Sequence, residues 1–357
     1  MIAFMADLHL TRFVWKSRRD IEGDSFRALD AAKDVLFQAW KQTDEPLAIF
    51  LGGDIFDERK LEGSVLKAFT DFVDFWYEQE VPVYFVQGNH DTDAVQAIAE
   101  IQGAIHIDKK IVEVDGLKIY GLDWRPRKFL HEELAAAPAC DYVMLHAMFD
   151  HLVDFEAATD ISLDDIPSQI QNVLVGDVHI RDITPFNNGV CVSPGPLHAC
   201  NIEQVGPHGV HVLARGQKEW QFHPYSTRDI RRFRCMDEGS LEQARVIIGN
   251  LEQRPENMET IVEVRYVAEY ADEVQAWPDR NPHLKFFLKP SASGKMVSMR
   301  DLEEAQKTFS TLTLENSLGT VVDEKKEPAL HALLQELLAG DTQNVADKYM
   351  EGIECVQ

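Results

Sequence analysis

Five short clusters of acidic, histidine, asparagine and glycine residues, each closing an apolar β-rich run, constrain this chain more than any other feature. They are Asp7-Leu8-His9, Gly53-Asp54-Ile55-Phe56-Asp57, Gly88-Asn89-His90-Asp91, His146-Ala147 and Gly176-Asp177-Val178-His179. The runs that precede them, residues 2–5, 47–51, 81–86, 142–145 and 173–175, read as strands. Further strands are expected at 111–114, 118–122, 190–193 and 210–214, with helices at 25–41 and 64–80. Strands alternating with helices, with polar chemistry at the strand ends, predict a layered α/β domain over residues 1–225. One such cluster alone is a weak signal. Five in one chain, with small residues that let the backbone turn sharply, point to a shared site.

The residue types fit two divalent metal ions. In a strand, residues i and i+2 share a face, so extended backbone would bring Asp7 with His9, and Asp177 with His179, to one ion each. Asp54 offers a carboxylate that can bridge two ions, Asn89 a neutral oxygen and His146 an imidazole. This mixed nitrogen and oxygen set suits Mn²⁺, Fe or Zn²⁺ rather than Ca²⁺. Cys140, Cys191, Cys200, Cys235 and Cys355 are odd in number, widely spaced and never in a C-x-x-C pair. They read as idle reduced thiols, and thiolate is expected to be absent from the ligand set.

In this order the motifs resemble those of the calcineurin-like metallophosphoesterase superfamily, over residues 1 to about 215. The resemblance implies a layered α-β-β-α sandwich. It also implies one ion held by Asp7, His9, Asp54 and His179, and the other by Asp54, Asn89, His146 and Asp177, with His90 facing the substrate. The family usually has histidine where this chain has Asp177. Aspartate can ligate the same metals, but it adds negative charge and reduces the Lewis acidity of its ion. Asp57 is expected to support a ligand or cap the following helix.

Within the superfamily the chain is most similar to SbcD-type nucleases, the bacterial and phage counterparts of the nuclease subunit in double-strand-break repair. The segment Gly53 to Lys60 carries this, as do Ser193-Pro194-Gly195-Pro196-Leu197 followed by Glu203 and Gly209-Val210, and the order of domains. The resemblance implies a DNA exonuclease or endonuclease, with Mn²⁺ the expected metal and Fe, Zn²⁺ or Mg²⁺ the alternatives. The mechanism it implies is attack on phosphorus by a water bridging two ions, with His90 stabilising the transition state or protonating the leaving oxygen. It further implies an SbcC-type SMC-like ATPase partner. Two other readings stay open: a phosphodiesterase or dinucleotide polyphosphatase acting on small substrates, and an inactive scaffold that recruits an ATPase.

Past residue 225 the texture changes. Arg228, Arg231, Arg232 and Arg234 lead into a strand, a helix at 241–253 and a strand at 260–267, an expected small α/β capping domain over 226–290. Residues 278–300, rich in Pro, Asn, Ser and Gly, read as a linker with little structure, and 291–357 as linker and a helical partner-docking segment. The arginine run and the knot Arg125, Arg127 and Lys128 are either solvated surface or a grip on DNA backbone. Helix 64–80 is apolar on more than one face, which fits either a thick core or a homodimer contact.

The formal net charge of −25 argues against a general nucleic-acid surface, and neither residues 1–225 nor 226–357 are net basic. Two divalent ions would reverse that balance where a phosphate must sit. No apolar run approaches the roughly 18 residues of a membrane span, and the start MIAFMADLHL lacks a basic n-region and is interrupted by Asp7 and His9. No membrane partner and a cytoplasmic location are therefore expected.

Overall fold

The computed structural model describes residues 1–59, 61–92, 94–153, 159–187, 189–255 and 258–291. Its strands are β1 (Ile2–Met5), β2 (Ala48–Leu51), β3 (Val83–Phe85), β4 (Ala104–His106), β5 (Ile111–Val114), β6 (Leu117–Leu122), β7 (Cys140–His146), β8 (Ile170–Gly176), β9 (Arg181–Phe186), β10 (Gly189–Pro194), β11 (His208–Leu213), β12 (Gln221–Tyr225), β13 (Ile230–Cys235), β14 (Ile261–Tyr266) and β15 (Lys285–Pro290). The helices are α1 (Asp24–Lys41), α2 (Gly63–Glu78), α3 (Val95–Ala99), α4 (Arg127–Ala135), α5 (Glu238–Gly249), α6 (Ala271–Gln275) and α7 (Trp277–Arg280).

Two six-stranded sheets, ordered β12-β11-β1-β2-β3-β4 and β5-β6-β7-β8-β10-β9, pack face to face. In β1, Ile2 and Phe4 enter the core between the sheets while Ala3 and Met5 enter the core beneath the helices. Burial on both faces explains why the central strands read as continuous apolar runs. Helices α1 and α2 cover the first sheet: Ala28, Leu29, Ala32 and Leu36 fall on one stripe of α1, and Val65, Phe69, Phe72, Val73 and Trp76 on one stripe of α2. Helix α4 covers the second sheet through Leu130 and Leu134. The result is a layered α-β-β-α sandwich.

The apolar excess on α2 is used inside the chain. Phe75 meets Phe37 of α1 edge-on at 5.4 Å, and Trp40 meets Trp76 at 6.2 Å.

A third sheet, β13-β14-β15, is covered by α5, α6 and α7 and belongs to the same compact unit as the two large sheets. Trp15, Ile21, Ile202, Ile230, Ile261 and Phe287 form the seam that joins it. Residues 278–290 are therefore not a linker. Pro278 sits in the first turn of α7, where its missing N–H is no loss, and Leu284 and Phe286 are buried. Pro290 closes β15. Arg228 is likewise no surface cation: it is buried against Asp24 at 2.8 Å and Glu259 at 3.3 Å. Arg125 is paired with Asp108 at 2.7 Å and Glu133 at 3.3 Å. The expected helical segment in 291–357 lies outside the described residues, apart from Ser291. Among the described residues no helix is long and apolar enough to cross a membrane.

Candidate metal centre

Strands β1, β2 and β3 run parallel to one another, as do β7 and β8 in the second sheet. Their C-terminal ends therefore open toward one edge of the sandwich, where such sheets commonly place their ligands. Asp7 and His9 follow β1, Asp54 follows β2, Asn89 and His90 follow β3, His146 ends β7, and Asp177 and His179 follow β8. The five motifs thus meet.

The backbone that aims them is not extended. Nine described non-glycine residues have positive φ, and Asp7 (52°), His9 (39°), Asp54 (50°), Asp177 (93°) and His179 (55°) are five of them. The pairs converge because left-handed turns redirect the chain after the strands end, and not because i and i+2 share a strand face as expected. Such conformations cost about 1–3 kcal/mol each and cluster where function holds them. Two glycines allow the loops to close up. A Cβ at Gly88 would lie 2.1 Å from Asp54 Oδ1, and one at Gly53 would lie 2.6 Å from His146 Nδ1.

Asp54 sits at the middle. Its Oδ2 is 3.5 Å from His9 Nε2 and 3.4 Å from His146 Nε2, while its Oδ1 accepts the His90 N–H at 3.0 Å. His146 Nε2 lies 3.1 Å from Asn89 Oδ1 and 3.6 Å from Asp177 Oδ1. His9 Nε2 and His179 Nε2 face each other at 2.8 Å. Asp7 is fully buried: Oδ1 accepts the Asp177 N–H at 2.8 Å, and Oδ2 has no hydrogen-bond partner. Two donors each about 2.1 Å from one ion stand roughly 3.0–3.4 Å apart, so this spacing and the orphaned Asp7 oxygen fit a divalent pair bridged by Asp54.

The electrostatics agree. Burial raises the Asp7 carboxyl above its usual range against the pull of His146 and His9. Burial also pushes Asp177 up to about 6, only partly offset by His146. His146 rises to about 10, because Asp54, Asp177 and Asp7 together outweigh its burial. Burial lowers His179 to about 4, with His9 adding to the effect. Asp7, Asp177 and His146 are thus pushed toward their protonated forms, and a divalent ion would displace those protons from the same atoms.

Supporting groups set the ring orientations. His146 Nδ1–H donates to Gly52 O at 2.8 Å, which turns Nε2 toward Asn89 and Asp54. His90 Nδ1–H likewise donates to Asp57 O at 2.8 Å. The Asp57 carboxylate caps no helix: it stands 3.5 Å from His9 Nδ1 and 3.2 Å from Lys16 Nζ, and burial offset by these two cations leaves its pKa at about 2. Two residues near the centre were missed from sequence. Buried Asp91 accepts N–H groups from Ile55, Phe56 and Gly88, tying the second motif to the third. Its place in the Gly88–Asp91 motif was the available signal. Cys200 stands beside His9 and His179, a donor atom of each lying within 4.8 Å of the others. No spacing rule signals it.

Residues 1–216 match the calcineurin-like phosphoesterase family, and the chain belongs to that family. It is similar to the DNA double-strand break repair protein Mre11 of Nanoarchaeum equitans (strain Kin4-M), 33% identical over 91 residues, 26% of this chain and 24% of that protein. The match thus spans about a quarter of that relative's length. Among solved structures, it is similar to a novel archaeal phosphodiesterase, with 16% identity, a TM-score of 0.37 and coverage of 63% of this chain and 99% of that one. It is also similar to the phosphopantetheinyl hydrolase PptH of Mycobacterium tuberculosis, with 10% identity, a TM-score of 0.34 and coverage of 55% and 89%. Family membership makes the chain a metal-dependent phosphoesterase.

Proposed function

We propose that this phosphoesterase is a DNA nuclease, exonuclease or endonuclease, acting with Mn²⁺ in the cytoplasm beside an SMC-like ATPase of the SbcC type. The observation that carries the reading is the 33% identity to a double-strand-break repair protein, added to the SbcD-like segments at Gly53 to Lys60 and Ser193 to Leu197. In this reading residues 1–225 form the nuclease domain, 226–290 cap it, and 291–357 dock the ATPase. A homodimer through helix 64–80 is a further contact to test.

Asp7, His9, Asp54 and His179 would hold one ion, and Asp54, Asn89, His146 and Asp177 the other. Ions bound there neutralise phosphate charge and lower the pKa of water. Asp54 is kept ionised by His146 and His9, against its burial, and its Oδ1 is fixed by the His90 N–H. The rings of His146 and His90 are held by the Gly52 and Asp57 carbonyls. With Nδ1 engaged by the Asp57 carbonyl, His90 Nε2 is the ring nitrogen that would deliver a proton, drawn from solvent, to the leaving oxygen.

The alternative is hydrolysis of small substrates. It is favoured by the net charge of −25 and by the pairing of Arg125 and Arg228 with carboxylates. Degradation of end-labelled double- and single-stranded DNA by the purified chain with Mn²⁺, with bis-p-nitrophenyl phosphate and a dinucleotide polyphosphate in parallel, separates the two. DNA cleavage that falls about 10²–10⁴-fold in His90→Ala supports the nuclease. Turnover of the small substrates alone sinks it.

A further inference from the structure

We propose that Cys200 is an additional metal donor, a thiolate that completes the His9–His179 end of the centre and makes that end select Zn²⁺, Fe²⁺ or Co²⁺ over Mg²⁺ and Mn²⁺. The inference rests on the two-metal reading above.

Beside Asp7 and Asp54, this end offers a ring nitrogen of His9, a ring nitrogen of His179 and Cys200 Sγ, these three all within 4.8 Å of one another. The two Nε2 atoms already face each other at 2.8 Å, across a gap that an ion would widen. One side chain ties the cysteine to the histidine. Gln204 Oε1 accepts the Cys200 N–H at 2.8 Å, and Gln204 Nε2 reaches His179 Nδ1 at 2.8 Å. The loop carrying the thiol is therefore held in register with a ligand ring. Cys200 Sγ itself makes a long contact with the His198 carbonyl at 3.6 Å, a weak bond to give up for a metal.

Cys200 also differs from the other described cysteines. Cys140, Cys191 and Cys235 are buried in apolar cores, whereas Cys200 is partly exposed and lines a cleft of about 470 Å³ together with His9, Asp57 and Lys16. An ion arriving through the solvent-connected cleft meets the thiol and His9 together. The opposite end of the centre offers Asp54, Asn89, Asp177 and His146, three oxygen side chains and one imidazole. With Cys200 the first set holds one sulfur and two imidazoles beside the Asp7 and Asp54 carboxylates, a softer set than the opposite end, and soft sulfur favours borderline metals while oxygen-rich sets suit Mn²⁺ and Mg²⁺. Binding converts the thiol to thiolate, the Sγ proton passes to solvent, and no electron is transferred.

The test is a Co²⁺ titration of the full-length chain stripped of metal, followed by absorption spectroscopy. Visible d–d bands report that the centre has filled, and a near-ultraviolet thiolate-to-cobalt band reports sulfur in the coordination sphere. The wild type should show both. Cys200→Ser should keep the d–d bands and lose the sulfur band, and its Zn²⁺ affinity should fall by at least the ~10-fold that loss of an outer-sphere partner already causes. A filled wild-type centre without the sulfur band, or a band of equal strength in Cys200→Ser, overturns the proposal. Absence of d–d bands from the wild type would instead remove the two-metal reading, and the proposal with it.

Discussion

At the strand-end loops, Asp7, Asp54 and His146 are buried together with an unpartnered Asp7 oxygen and a left-handed backbone at both aspartates. At the seam with the third sheet, charge is also buried but is answered by cations. Asp24 accepts from Arg228 at 2.8 Å and from Trp15 Nε1 at 2.7 Å, and buried Glu263 meets Arg232 and Lys289, each at 2.7 Å. Here the charged residues lie on or beside regular strands and the start of α1. The contrast shows what each cluster is for. Paired charge costs little net and fixes how sheets meet, whereas carboxylates left short of cations keep a standing demand for positive charge.

The largest expected effect tests the demand directly. Asp7→Asn keeps the acceptor for the Asp177 N–H but removes the buried charge. Phosphodiester turnover should fall by about 10³-fold or more, while metal-free stability rises by about 1 kcal/mol in urea denaturation. A variant that loses both would place Asp7 with the structural pairs.

Arg228→Ala should do the reverse. Leaving Asp24 buried without its main partner costs about 3–5 kcal/mol, with turnover per folded molecule unchanged. Lost activity in a folded variant would break the distinction between the two regions.

A divalent ion at 100 times its Kd should stabilise the wild type by about 2.7 kcal/mol over the chelated protein. The same increment should appear in Arg228→Ala and vanish in Asp54→Ala, as read by calorimetry.

The smallest effect is the pH dependence of the paired region. Despite burial, Lys289 and Arg232 hold Glu263 down to about 2 from its ordinary 4.5. A depressed carboxyl stabilises the folded state fully above about 4.5 and loses that contribution as pH falls toward 2. Glu263→Gln should flatten this part of the urea-midpoint profile, and an unchanged slope would assign the acid sensitivity elsewhere.

Legibility followed burial. Strand β1 appears with the expected bounds, and β2, β7, β8 and α1 within a few residues, because strands and helices that fill a core carry long apolar runs. Strand β5, an exposed edge, was found with its expected bounds from its β-branched residues alone. Strands β4, β9 and β12 were missed: each is a sheet edge with polar residues in its pattern. The residues expected to bind metal were legible for a different reason. Their chemistry is rare enough in sequence that five clusters at strand ends signal one site.

By itself, the sequence determined the layered α/β class and which carboxylate, amide and imidazole groups gather at one edge, since side-chain type and strand order are local properties. Only the tertiary structure decided that left-handed turns aim those groups, that Arg228 faces inward to Asp24, and that Cys200 reaches His9 and His179. Each of these joins residues distant along the chain, and no periodicity or spacing encodes a contact that the packing of separate sheets creates.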